Sequence, residues 1–187
     1  HCKTRRQRQM CIRDRGGLFA LDQGLRHATH ISGVILVASN PCFVSNSQWP
    51  CAMSAAVFDA FAKDLAADYR LALERFLALE VHGADNARTA LRELRECAFQ
   101  HGEPELTALQ GGLELLNMAN LSIHLDELSS PLLCIGGSRD RLVPPAALLQ
   151  TAELAPWGRA DIIRGAGHAP FIGHRDEFAQ LIREFIL

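Results

Sequence analysis

The sequence contains no apolar run of about 18 residues or more, the length a helix needs to cross a bilayer, so no membrane span is indicated. It contains no Cys-x-x-Cys pair. The six cysteines, Cys2, Cys11, Cys42, Cys51, Cys97 and Cys134, are scattered through a chain that is 48% hydrophobic. That scatter argues against a disulfide framework and reads as reduced thiols in a cytoplasmic protein. Metal-ligand clusters are missing too. His27 and His30 share a helix face, but at its C-terminal end, where a cation meets the helix dipole, and no third ligand lies near. With no Gly-rich phosphate cradle, internal repeat or linker, neither a metal nor a cofactor is expected. Positive charge is short over most of the chain. Six of the 19 Lys/Arg and one of the 21 acidic residues fall in the first fifteen positions, leaving 13 against 20 in the rest, a net of −7. A basic arm of this kind can bind nucleic acid or act as a targeting leader. Here no apolar core or small-residue cleavage site follows, and Met10-Cys11-Ile12-Arg13-Asp14-Arg15 is similar to foreign sequence carried in from translated read ends. Residues 1–15 are therefore read as a non-native leader and residues 16–187 as part of one domain, with no nucleic acid or membrane partner expected.

What the sequence does contain is concentrated between Pro131 and His168. Leu132-Leu133-Cys134-Ile135 is a compact apolar run closed by Gly136-Gly137, the signature of a buried strand. A polar turn with Asp140 follows, then Leu142-Val143-Pro144-Pro145, where proline suits a first helical turn because its missing N–H would find no partner there. Ala146 to Ala155 has helical spacing, and Pro156-Trp157-Gly158 ends it. A second run, Ala160-Asp161-Ile162-Ile163, leads into Gly165-Ala166-Gly167-His168. An acid thus follows one strand and a histidine follows the next. In a parallel sheet both loops lie at the carboxyl edge, where open α/β sheets place their sites. Such an acid can fix the imidazole tautomer while the histidine acts as general base. The alternative is that Asp140 only caps the following helix and His168 ends a strand by chance.

Upstream, Gly16 to His30 has near-helical apolar spacing, with Gly16-Gly17 permitting close packing at its start. Gly33 introduces Val34-Ile35-Leu36-Val37-Ala38, a β-branched run expected as a central parallel strand. Three strands are expected, at about 33–38, 131–136 and 160–164, too few for a complete sheet of this type. Between the first two lie three helical stretches, Ser54 to Glu80, Ala84 to Phe99 and Pro104 to Met118, and a final amphipathic helix carries Phe178, Leu181, Ile182, Phe185 and Ile186. Trp49 and Trp157 are expected to be packing residues.

Gly137-Ser138-Arg139-Asp140-Arg141-Leu142-Val143-Pro144 resembles the acid loop of α/β-hydrolases, and Gly167-His168-Ala169-Pro170-Phe171 their histidine loop; the order acid, then histidine, is also theirs. Val37 to Phe43, Arg75 to Leu79 and Gly111 to Leu116 are similar to stretches of the biotin-pathway carboxylesterases that hydrolyse pimeloyl-acyl-carrier-protein methyl ester. The resemblance covers roughly residues 16–187. It implies a partial α/β-hydrolase fold in which parallel strands have flanking helices and a helical lid at about 49–120. It implies a Ser-His-Asp mechanism with Asp140 and His168 as two members. Gly16-Gly17 resembles the end of the nucleophile elbow, Gly-x-Ser-x-Gly-Gly, and the serine slot is then occupied by Asp14. Dehalogenases of this fold use an aspartate there. However, Asp14 stands between two arginines with no apolar strand before it, so it is read as foreign sequence and the serine as lost.

The resemblance further implies that Phe76, Leu77, Ala78, Leu79 and Glu80 contact substrate, although the family usually has glutamine where Glu80 stands. Arg70, Arg75, Arg88 and Arg92 are implied as the basic patch that holds an acyl carrier protein, with Arg70 one residue out of register. Two other functions fit the same residues: an esterase or lipase of other substrate, and a non-catalytic scaffold that binds a partner through its helical cap. The residue at the elbow discriminates, since serine supports the enzyme and alanine or glycine the scaffold.

Overall fold

The computed structural model describes residues 12–99 and 105–187. Residues 1–11 of the expected leader, and Pro104 at the expected start of the third cap helix, lie outside the described residues. Helix α1 (Ile12–Arg26) is followed by a 3-10 turn (Ala28–His30) and strand β1 (Val34–Val37). Four helices come next, α2 (Ala55–Ala67), α3 (Tyr69–Glu80), α4 (Ala87–Phe99) and α5 (Leu106–Met118). A 3-10 segment (Ser122–Glu127) leads into β2 (Leu132–Gly137), α6 (Pro145–Leu154), β3 (Gly158–Ile163), the single turn α7 (Pro170–Gly173) and α8 (Arg175–Ile186).

The three strands form one parallel sheet in the order β1-β2-β3, with Val34 beside Leu132 and Gly137 beside Ile163. Every residue of β2 is buried, as expected of a central parallel strand covered on both faces. Its alternate side chains divide between two layers. Leu132 and Cys134 join the large cluster with Leu18, Leu21 and Leu148 from α1 and α6. Leu133 and Ile135 meet Phe178, Leu181, Ile182 and Phe185 of α8 on the other side. Each such aliphatic side chain, taken fully out of water, contributes about 1.5–3 kcal/mol. The run Val34 to Val37, expected to be central, forms an edge strand among the described residues, with alternate rather than continuous burial.

The stretch Ser54 to Glu80, expected as one helix, is two. Asp68 breaks it, with φ −151° and ψ 94°, and its Oδ1 accepts the Leu71 N–H at 3.0 Å, so it ends α2 and caps α3. A short carboxylate that can bond the backbone ahead of it favours a cap over a helix interior. Ser54 caps α2 in the same way. Helix α3 packs on α4, where Arg95 Nε lies 2.7 Å from Glu74 Oε2. Together α2 to α5 make the helical insertion between β1 and β2 that the pattern implied. Trp49 is buried as expected, whereas Trp157 is 68% exposed. No helix among the described residues is long and apolar enough to cross a membrane.

Candidate active site

The carboxyl edge of the sheet holds Asp140 and His168. Asp140 follows β2 through Gly137-Ser138-Arg139, and His168 follows β3 through Arg164 to Gly167. Gly137 is where the two loops come closest: a Cβ there would stand 2.2 Å from the carbonyl oxygens of both Ala166 and Gly167. Only glycine admits that approach. The loops are stitched together by Ser138 N donating to Ile163 O at 3.0 Å, Arg139 N to Ala166 O at 2.9 Å and Gly165 N to Ser138 Oγ at 2.9 Å.

Asp140 Oδ1 accepts two backbone N–H groups, from Leu142 at 2.8 Å and Val143 at 2.9 Å. Its Oδ2 lies 2.9 Å from His168 Nδ1. An ionised carboxylate can only accept, so the proton of that bond sits on Nδ1 and Nε2 is turned the other way. Asp140 binds the turn that follows it and does not cap α6, whose N-cap Pro144 has no side-chain bond, so the simpler reading of a helix cap does not hold; it holds the imidazole instead. Both side chains are buried.

His168 Nε2 faces Asp14. The distance to Asp14 Oδ1 is 3.6 Å, too long for a full hydrogen bond, and neither atom has a hydrogen-bond partner among the described residues. Asp14, read from the sequence as foreign, is thus in contact with the pair. It occupies the first turn of α1, 7% exposed, and lines an apolar cavity. What places it is the packing of α1 on the segment after β1. Ser39 Oγ donates to the Asp14 carbonyl at 3.1 Å, and a Cβ on Gly17 would meet Ser39 Oγ at 1.9 Å. Ala38, just before, has φ 46°. A non-glycine residue in that region costs about 1 kcal/mol or more, and such strain gathers at functional sites. Burial pulls the His168 pKa down, but the carboxylates of Asp140 and then Asp14 more than offset this and hold it at about 10.

The cavity beside Asp14 has a volume of about 150 Å³ and is walled by apolar side chains of the insertion and of the segment after β1, among them Phe43, Phe58, Phe61, Leu73 and Leu113. Of the five expected substrate contacts, Phe76 and Leu79 line it. Leu77 and Ala78 do not. One helical turn separates Phe76 from Leu79, and the residues between them point elsewhere: Leu77 is fully buried in a second cluster with Val81, Ala90 and Leu94, and Ala78 is exposed. Glu80 is buried, and its backbone carbonyl accepts the His168 N–H at 2.8 Å. Of the four arginines, Arg75 lies at the cavity wall and binds Asp64 at 2.9 Å. Arg70, Arg88 and Arg92 are exposed on α3 and α4, with Arg92 3.9 Å from Glu96. Among the described residues no cluster of His, Cys, Asp and Glu could hold a metal ion.

Sequence reasoning set Asp14 aside and passed over Ser39 and Arg139. The signal for Asp14 was its distance from Gly16-Gly17, which fits the elbow; the flanking arginines outweighed it.

Comparisons with known proteins bear on the family and the fold. The chain is 45% identical over 171 residues to the pimeloyl-[acyl-carrier protein] methyl ester esterase of Xanthomonas campestris pv. campestris, covering 91% of this chain and 67% of that protein. It is 44% identical to the protein of the same name from Stenotrophomonas maltophilia, covering 66% of it. The chain thus spans about two thirds of the length of these curated relatives. Among solved structures, an esterase from Exiguobacterium antarcticum superposes with a TM-score of 0.82 at 19% identity, over 92% of this chain and 64% of that one. An enol-lactonase from Burkholderia xenovorans superposes with a TM-score of 0.76 at 20% identity, over 92% and 63%. The model of the alpha/beta hydrolase family matches residues 14–181, beginning at the residue that faces His168, and the chain belongs to that family.

Proposed function

We propose that this chain belongs to a carboxylic ester hydrolase whose substrate is the methyl ester of a pimeloyl group carried on an acyl carrier protein. The observation that carries the reading is the buried Asp140–His168 pair, with Nε2 directed at the residue that also lines an apolar cavity. The names of relatives at 44–45% identity supply the substrate. In this mechanism a hydroxyl at position 14 attacks the ester carbonyl and gives its proton to His168 Nε2. His168 returns the proton to the departing methoxide, and a second round with water releases the acid. Asp140 holds the Nδ1–H tautomer and stabilises the imidazolium, without itself taking the proton. Phe76 and Leu79 bind the methylene chain. Arg70, Arg75, Arg88 and Arg92 meet the acidic carrier protein, and the site of action is the cytoplasm.

Asp14 stands where this chemistry needs serine. A carboxylate there has no proton to give, and with Asp140 it keeps the imidazole protonated near neutral pH, so His168 cannot act as a base. The same reading takes residues 1–15 as non-native and serine as the residue proper to this slot.

The test is carrier-linked ester hydrolysis by the full-length gene product with serine at the slot, compared with its Asp140→Asn and His168→Ala variants. Asp140→Asn is expected to keep the fold and lower turnover by about 10⁴, the size of the same change in a serine protease, because the amide favours the wrong tautomer. Near-native turnover by either variant would remove these residues from the mechanism.

A further inference from the structure

The turn between α3 and α4 within the helical insertion, residues 80–85, is bound to both loops that carry the Asp140–His168 pair. The Glu80 carbonyl accepts the His168 N–H at 2.8 Å, and Asp85 N donates to Gly165 O at 3.2 Å. On the other side one guanidinium nitrogen of Arg139, the residue before Asp140, donates to the Gly83 carbonyl and to Asp85 Oδ1, both at 2.5 Å. Arg139 N in turn donates to Ala166 O. Three segments, one of them more than fifty residues in sequence from the other two, therefore converge on the pair, and Arg139 contacts both of the segments outside its own.

We propose that Arg139 is a positioning residue: it couples the α3–α4 turn of the insertion to the acid and histidine loops, so that the seating of the insertion sets the contact between His168 Nδ1 and Asp140 Oδ2. The function proposed above gives this coupling its use, since the insertion forms the acyl cavity, but the coupling stands on these contacts alone. A simple surface ion pair would have a different shape. Arg139 and Asp85 are both largely exposed, and an exposed pair alone stabilises little. The Gly83 carbonyl makes the difference, because it ties the guanidinium to backbone rather than to a mobile carboxylate. The insertion also meets the histidine side through backbone bonds from His168 and Asp85 and through the packing of Leu77, Val81, Ala90 and Leu94 on Ala169. None of these reaches the acid loop, which carries Arg139.

The test needs no ester turnover, so it succeeds or fails separately from the esterase reading. The 187-residue chain, labelled with ¹⁵N-histidine and ¹⁵N-backbone, is compared with Arg139→Gln, Arg139→Lys and Arg175→Gln. Arg175 binds Glu93 on α4 and is the control for loss of an exposed ion pair. Solvent exchange of the His168 Nδ1 proton, and of the His168 and Asp85 amides, is expected to speed up about fivefold in Arg139→Gln, the size of one exposed charge-assisted hydrogen bond. Exchange in α6 should stay unchanged. Lysine, whose ammonium can donate to both acceptors, is expected to recover part of the protection, and Arg175→Gln to leave the imidazole proton as it was. If Arg139→Gln does not fold, Asp85→Asn, which weakens only the exposed acceptor, supplies the comparison. Faster exchange confined to the Asp85 amide, with the imidazole proton unmoved, would reduce Arg139 to a surface contact and overturn the proposal. An equal change in Arg175→Gln would overturn it as well.

Discussion

Two carboxylates facing one buried imidazole have a consequence that can be measured on the chain directly. At an effective dielectric constant of about 20, unit charges 3.6 Å apart interact by about 5 kcal/mol. Spreading each charge over its carboxylate or ring roughly doubles the mean separation, which brings this to about 2–3 kcal/mol, or about two pKa units. Asp14→Asn removes that charge and keeps the shape. The pKa of His168, held at about 10, is therefore expected to fall by about two units, as followed by the Nε2 shift of ¹⁵N-histidine through a pH titration. Stability should follow. Because the folded pKa of His168 lies above the unfolded value of about 6.5, its protonation stabilises the fold fully below pH 6.5. That contribution is lost as pH rises from there towards 10. Melting temperatures of the parent chain are expected to decline steadily over this window. Those of Asp14→Asn should decline only over its lower half, then level off. A parent His168 that titrates near 6.5, or one unaffected by Asp14→Asn, would refute the claim that Asp14 faces the imidazole.

Three further outcomes are expected. Gly17→Ala would drive a methyl into Ser39, 1.9 Å from Oγ and 2.6 Å from Cβ. It should cost about 1–3 kcal/mol in denaturant unfolding; Ser39→Ala in the same background should restore only part of this, and a neutral Gly17→Ala would mean α1 does not pack there. In the full-length enzyme, Phe76→Ala should shift acyl preference towards longer chains. Leu77→Ala should cost about 2–5 kcal/mol of stability by leaving a cavity in its own cluster while preference stays unchanged, and the opposite pattern would reverse their roles. Reversing Arg88 and Arg92 to Glu should slow hydrolysis of the carrier-linked ester and spare a small soluble ester, because surface charge acts mainly on encounter. Equal loss on both substrates, or carrier kinetics insensitive to salt, would remove the docking role.

How much of this was legible in the residues depended on whether the deciding contact was local. The strands and the acid–histidine order follow from short apolar runs, glycines and prolines that act within a few residues of one another, and the structure places Leu132 to Gly137 and Asp140–His168 accordingly. The break at Asp68 was local as well, but the apolar stripe running through Phe61, Leu65, Leu73 and Phe76 was the larger signal and masked the cap. Leu77 and Ala78 were drawn into the substrate segment by resemblance, where the helical period alone would have turned them away from Phe76 and Leu79. Asp14 and Arg139 belong to a different class. Their partners, Ser39 and His168 for the first and Gly83 and Asp85 for the second, lie between 25 and more than 150 residues away. No periodicity or spacing encodes contacts of that kind, because they arise only when the sheet brings three loop ends to one edge. The residues that make a site are thus written locally, while those that hold it in register are written in the fold.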